Sequence, residues 1–415
     1  MSAARSALVL GGGVVGLSVA LSLIRKNWRV SIIDPFPSPG GASYGNAGLL
    51  SPDTATPIAL PGMLPKVPKW LMDPLGPLTV RVSYLPKATP WLLKWIAAGR
   101  IERVREISRA MRALHKDSLQ EWRTLLGGES FADLIRTVGT VQLWDDDAPN
   151  ATAQIEEELR RSHGVETQPL SREEIFALFP GITKETRRGL LIKNNAYTVN
   201  PQRLVQTLAR QFEAEGGTFI REKVYKLIPE DDGKWLVMTN VGNHRTGHVV
   251  VAMGAFSKEV LAPLGVKVAL ETERGYHATL PNPSITLPLP ILHKSRSMAV
   301  TPMEGGLRVA GTVEIGGLHA APNEERAKVL YKRLQQLFPD LKSDPPQYWM
   351  GFRPSTPDSL PVLGPIPGKT GLYACFGHSH FGMTTSAPSG RLLAEIINGE
   401  KPHLDVTPYA ITRFA

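Results

Sequence analysis

One arginine, Arg353, stands in the stretch WMGFRPSTPDSLPVLG (Trp349 to Gly364) among prolines, glycines and apolar residues, with Asp358 as its nearest acid. A planar guanidinium engages both oxygens of a carboxylate at once, a fork that the ammonium of lysine does not reproduce. Two readings follow. Arg353 holds its own loop together through Asp358, or it holds the carboxylate of a bound molecule.

A glycine-rich stretch near the N-terminus offers a second chemistry. ALVL, GGGVVG, LSVALSLIRK and WRVSIID read as a buried strand, a turn, a helix and a second strand. In GxGxxG form the glycines are Gly11, Gly13 and Gly16, and Asp34 closes the second strand. Gly11 permits the tight turn, Gly13 lets backbone approach a pyrophosphate, and Gly16 lets helix pack on strand. The helix that opens at Val14 and Val15 offers N–H donors and the positive end of its dipole. Asp34 would accept hydrogen bonds from ribose hydroxyls. These parts together point to a dinucleotide. They do not separate FAD from a nicotinamide cofactor, since both carry an ADP half. Past Asp34 runs PFPSPGGASYGNAGLLSP, small residues that could lie against a large flat cofactor or form an ordinary surface loop.

Near the C-terminus, His378 and His380 stand two residues apart in GHSHFGM, which leads into the helical run TTSAPSGRLLAEII with Thr384 or Thr385 as its N-cap. Two histidines at this spacing could ligate a metal, but no carboxylate or cysteine companion lies nearby in sequence, and no metal is expected. The single cysteine, Cys375, excludes an internal disulfide and any site that needs several thiolates.

The elements that must position these residues exceed one core: 415 residues suggest two domains. NPQRLVQTLARQFEAEGGTFI reads as a capped helix entering a strand, KVYKLIPEDDGKWLVMTN as a hairpin, and HVVVAMGAFS as a buried strand ending at Gly254. Leu261 to Met350 is richer in short strands, with one helix near Asn323 to Leu337. Pro57 to Arg100 interleaves Trp70, Trp91 and Trp95 with Lys66, Lys69, Arg81, Lys87 and Lys94. That segment is either a basic aromatic surface for anionic lipid or single-stranded nucleic acid, or a loop and helix packed on the protein's own core. No apolar run approaches the roughly 20 residues that span a bilayer. The N-terminus lacks signal-peptide order, so the chain reads as cytoplasmic. Lys and Arg number 47 against 38 acids, a net +9 that does not choose among anionic partners.

Taken in order, GGGVVG with Asp34, SYGNAG (Ser43 to Gly48), VVVAMGAFS, GFRPSTPDSLPVLG and GHSHFGMTTSAPSGRLLAEII resemble the FAD-dependent amine and amino-acid oxidoreductases that include D-amino-acid oxidase, glycine oxidase and sarcosine oxidase. The resemblance runs nearly end to end, and SYGNAG with the Trp/Pro segment is most similar to the D-amino-acid dehydrogenase branch. It implies α/β plus α+β architecture of the D-amino-acid-oxidase type. A discontinuous Rossmann-like FAD-binding domain (residues 1–56, 195–260 and 350–415) would sit under an antiparallel-sheet substrate or roof domain (57–194 and 261–349).

The resemblance further implies that Ser43, Asn46, Ala47, Gly48 and Leu49 line the pyrophosphate and isoalloxazine, and that the backbone at Val224 meets adenine. Gly254, His378, Gly382, Met383 and Thr384 would border the flavin, the helix start stabilising the charge of reduced flavin. Arg353 falls where such enzymes grip the substrate carboxylate. Tyr276 and His277 in ERGYHATL would close the pocket, and His380 would shape its edge. Non-covalent FAD is expected, because Cys375 lies outside the GFRPSTPD motif. The implied reaction is oxidative deamination of D-amino acids to 2-oxo acids and ammonia, by hydride transfer from Cα to flavin N5. Electrons would pass to a quinone or another acceptor, with residues 57–100 touching the inner face of a membrane. The alternatives are a secondary amine substrate (proline, hydroxyproline, sarcosine or opine type), with an oligomer or complex subunit as an open reading, and a flavin-dependent RNA-modifying protein. With no recognisable RNA module, nucleic acid is not an expected partner.

Overall fold

The computed structural model describes residues 5–35, 41–62 and 75–414. Trp70, Lys66 and Lys69 lie outside the described residues. A six-stranded sheet runs in the order Thr218–Ile220, Arg29–Ile33, Ser6–Leu10, Val249–Val251, Leu372–Phe376 and Val362–Pro365, all parallel except the last pairing. Parallel strands buried on both faces need apolar side chains on both. Val9, Ile32 and Val250 accordingly face a core with the helices Val14–Ile24, Pro201–Ala214 and Gly382–Ile397. Leu8, Leu10, Val249 and Val251 face a second core with the antiparallel strands Val224–Pro229 and Trp235–Thr239. The capped helix forms as its sequence suggests: Asn200 Oδ1 accepts from the Arg203 N–H (3.0 Å) and Pro201 opens the first turn.

A nine-stranded, mostly antiparallel sheet carries, from one edge, the strands Gln347–Ser355, Glu271–Leu280, Gly306–Ile315, Met298–Met303, Ile291–His293 and Thr140–Trp144, in that order. One face packs Tyr276, Ala278, Leu280 and Val309 on Leu330, Leu334 and Leu337 of the helix Glu325–Leu337. The other face looks across a cavity to the parallel sheet. The expected boundary at residue 350 falls inside the strand Gln347–Ser355, which pairs without a break along Glu271–Thr279.

Among the described residues of the Trp-rich segment, both indoles are buried. Ala88, Trp91, Trp95 and Ala98 form the buried stripe of the helix Leu85–Ala98, a helical spacing that puts both indoles inward. The Trp91 indole N–H donates to the Ser355 carbonyl (3.1 Å), tying this helix to the strand of Arg353. Val82, Leu85, Leu93, Lys87 and Lys94 remain exposed. No helix among the described residues is long and apolar enough to cross a membrane.

Candidate active site

The N-terminal turn is built by close approach of backbone to backbone. Gly11 has φ 105°, and a Cβ there would stand 2.5 Å from the Ala252 carbonyl oxygen, so only glycine fits. At Gly16 a Cβ would meet the Gly11 carbonyl, so this glycine seats the helix on its own turn. Asp34 Oδ2 accepts from the Gly12 N–H (2.6 Å), fixing the turn at the end of the second strand. The first helix has no side-chain cap from Gly13, and the Ser43 hydroxyl accepts from the Val14 N–H (3.0 Å). This helix start with its open donors lies at the cavity, the arrangement that suits a phosphate.

The SYGNAG loop hangs from the roof sheet by its carbonyls. Arg308 Nη1 donates to the carbonyls of Asn46 (2.8 Å) and Tyr44 (3.2 Å), and Thr301 Oγ1 donates to that of Ala47 (2.7 Å). His277 Nδ1 donates to the Gly45 carbonyl (3.0 Å), and its ring stacks on Trp349 at 5.0 Å. Burial pushes the His277 pKa down to about 3, with Arg308 acting in the same direction, so the ring is neutral and Nδ1 carries the proton. Burial likewise pulls the Arg308 guanidinium down to about 10. Within the loop, Asn46 Oδ1 accepts from the Gly48 N–H (2.7 Å).

Arg353 does not pair with Asp358. That carboxylate forks with Arg413 instead, Oδ2 to Nε at 2.8 Å and Oδ1 to Nη2 at 3.1 Å. The Arg353 guanidinium lies over Gly275, where an added Cβ would stand 2.5 Å from Nη2, and Nη1 donates to the Thr312 carbonyl (3.2 Å). Strand register sets Glu273 directly opposite Arg353. The buried Glu273 carboxylate meets His380 Nε2 at 2.6 Å. Burial would raise the Glu273 pKa, but His380 and Arg353 outweigh it and hold the carboxyl below its usual range. Arg353 is itself pulled below the usual guanidinium value by burial, with Glu273 pulling back.

Tyr276 borders the cavity, but its hydroxyl donates to Glu314 Oε2 (2.5 Å) and accepts from the Asn323 N–H (3.1 Å). At the opposite wall, His378 Nε2 meets Ser389 Oγ (3.1 Å) while Nδ1 is buried without a partner. Burial pushes the His378 pKa down to about 3. The expected threonine cap of the last helix is absent: Phe381 holds the N-cap position, Thr384 Oγ1 accepts from the Ser51 N–H (3.0 Å), and Thr385 Oγ1 donates back to the Phe381 carbonyl (2.9 Å). Both hydroxyls are engaged elsewhere, so the helix start keeps its amide donors.

A single cavity of about 1080 Å³ joins these walls. Of the residues singled out from the sequence, all line it except Gly16, Gly48 and His277. Gly16 is spent on its turn, Gly48 packs on Thr198 and Met303, and His277 backs Trp349. Sequence reasoning missed Glu273, Gly275, Arg308 and Trp349. Only Trp349 carried a signal, as a lone indole four residues before Arg353, a spacing that sets both on one face of a strand.

The chain matches the family model of the FAD dependent oxidoreductases, DAO, over residues 6–396. It is 38% identical to a D-amino-acid oxidase of Bradyrhizobium diazoefficiens over all of both chains, and 31% identical to a D-amino acid dehydrogenase of the same organism over 98% of each. Among solved structures, L-proline dehydrogenase from P. horikoshii superposes with TM-score 0.77 at 20% identity over 100% of this chain and 98% of that one. Glycine oxidase from Geobacillus kaustophilus gives TM-score 0.72 at 20% identity over 99% of each. The chain belongs to the DAO family of FAD-dependent oxidoreductases and has that family's fold.

Proposed function

We propose that this FAD-dependent oxidoreductase oxidises D-amino acids to 2-oxo acids and ammonia, with Arg353 holding the substrate carboxylate. The observation that carries the reading is the Arg353 guanidinium. It faces the cavity above Gly275, its sequence-adjacent acid is taken by Arg413, and strand register leaves it one buried carboxylate, Glu273, which His380 shares. The names of the two curated relatives support a D-amino acid as substrate.

The residues present fit FAD. The cavity runs from the glycine turn and Asp34 to the start of the last helix, neither N-cap residue caps its helix with a side chain (Ser43 takes the Val14 N–H alone), and the buried His378 Nδ1 in its wall has no partner among the described residues. Residues 1–56, 195–260 and 350–415 are assigned to FAD, and 57–194 and 261–349 to the roof, the strand Gln347–Ser355 being shared. Non-covalent binding is supported by the Cys375 thiol, which is buried and whose pKa burial pushes up, keeping it protonated. When bound, FAD accepts the hydride that leaves the amine-bearing carbon. The chain's own residues orient and desolvate: Arg353 fixes the carboxylate by a fork, and the stacked Trp349–His277 wall and the SYGNAG backbone enclose the site.

Anaerobic titration of the yellow protein with paired D- and L-amino acids, prolines and N-methyl amino acids tests the substrate. D-amino acids should bleach the flavin, and Arg353→Lys should raise the half-saturating concentration roughly ten- to hundredfold by losing one charge-assisted bond. Bleaching by the L-enantiomers alone would overturn the reading. Electrons pass on to a quinone or another acceptor, supported by the word dehydrogenase in one relative's name and by the exposed Val82, Leu85, Leu93, Lys87 and Lys94. Failure to reduce a soluble quinone analogue and to bind anionic liposomes, with peroxide formed instead, would refute that part.

A further inference from the structure

One buried acid in the cavity wall holds His380 and faces Arg353 across a strand pair. Glu273 has Arg353 opposite it across the strand pair and His380 Nε2 at 2.6 Å. Its side chain is 6% exposed, against 33% for His380. A carboxylate can only accept from the ring, so Nε2 carries the proton and Nδ1 of a neutral His380 carries the lone pair. Nδ1 has no hydrogen-bond partner among the described residues and is not buried, and His380 lines the cavity.

An α-amino acid presents its carboxylate and its ammonium a short, fixed distance apart. A site that handles both needs its carboxylate holder and its proton acceptor rigidly spaced. Glu273 links the two, because its buried carboxylate holds His380 by a hydrogen bond and stands across the strand pair from Arg353, whose own guanidinium is held at the Thr312 carbonyl. The amine must also lose a proton before its lone pair can assist loss of the Cα hydrogen, and a substrate arriving as ammonium needs somewhere to send it.

We infer that Glu273 and His380 form the proton-accepting dyad of this site, taking one proton from the substrate ammonium; this rests on the amino-acid reading above. An N–H bond of the ammonium breaks and its electron pair stays on nitrogen, while the Nδ1 lone pair of His380 forms the new N–H bond. The Glu273 carboxylate stabilises the resulting imidazolium, and the exposed edge of His380 releases the proton to solvent. The charged groups facing the dyad are Arg353 and, one residue pair along the same strand, Glu271, which accepts from Tyr84 (3.1 Å). His380 is catalytic in this scheme, and Glu273 is a positioning residue.

The test is the rate of anaerobic flavin bleaching by D-alanine in the holoenzyme, measured against pH. The wild type should lose rate as pH falls through one ionisation. His380→Gln should remove that limb and lower the neutral-pH rate on the order of a hundredfold. Imidazole should restore bleaching to His380→Gly, which a merely structural role would not allow. Glu273→Gln should move the acid limb to lower pH, because an amide no longer supports the imidazolium. Unchanged pH profile and rate in His380→Gln, or an equal loss at every pH without imidazole rescue, would overturn the dyad while leaving the substrate reading intact. A wild-type protein bleached by no amino acid at any pH would remove both.

Discussion

Replacing Gly275 by alanine should weaken carboxylate recognition without touching any polar group. Gly275 lies in a strand, beside the register shift against Gly306–Ile315 but outside the left-handed region, so alanine is tolerated by the backbone. Its Cβ would press on Arg353 Cζ and Nη1 and stand 2.5 Å from Nη2, and ordinary contact begins near 3.4 Å, so the guanidinium must retreat by about 1 Å or swing away. The far end of a flexible side chain can do this at little cost in stability, and exchanging glycine for alanine in a strand returns roughly 0.5–1 kcal/mol of backbone entropy. A retreat of that size breaks at least one arm of a fork whose bonds contribute about 1.5–3 kcal/mol each, which is roughly ten- to a hundredfold in affinity. The assay is kcat/KM for D-alanine against D-alaninamide, which keeps the amine and lacks the carboxylate. Gly275→Ala should lower the D-alanine value and leave the amide value nearly unchanged, with the thermal midpoint within a few degrees of wild type. If the ratio of the two substrates is unaltered, Arg353 over Gly275 does not hold the carboxylate.

Asp358→Asn should cost about 3–5 kcal/mol in urea denaturation, because it strands the buried Arg413 guanidinium, while turnover per folded molecule stays at the wild-type level; a large activity loss with stability intact would contradict the division between Asp358 and Arg353. Burial holds His277, His293 and His378 down to about 3 and His115 down to about 4. Below about 6.5 the unfolded chain protonates these rings and the folded chain does not, so the stability they contribute is complete above about 6.5 and is lost as pH falls, at up to roughly 1.4 kcal/mol per pH unit for each ring. The urea midpoint should therefore fall steeply between pH 6.5 and 5, and His115→Phe should flatten the fall; a midpoint constant across that window would show that the rings are protonated in the folded protein.

The parts of the fold legible in the sequence are those whose cause is local. A buried strand, a glycine that must reach positive φ at Gly11 and an acid at the end of the next strand lie within one βαβ unit, and the Asn200 cap with Pro201 lies within one turn. The segment from Pro57 to Arg100 misleads when read by composition, yet Ala88, Trp91, Trp95 and Ala98 fall on a single helical stripe, and that spacing already places the indoles inward. What no local cue supplies is the company that strands keep. In ETERGYHATL the residues Glu271, Glu273, Gly275 and His277 alternate as the solvent face of a half-exposed strand would, and nothing nearby marks Glu273 as buried. Proximity in sequence offers Asp358 as one possible partner for Arg353. In the folded chain the turn after Arg353 carries Asp358 away to Arg413, and strand register brings Glu273 across instead. Arg308 follows the same rule, reaching from one roof strand to carbonyls of a loop more than half the chain away. A charged side chain on a strand finds its partner through register and through the facing layer, so in a site roofed by a sheet the acids and bases that tune one another are separated in sequence by construction.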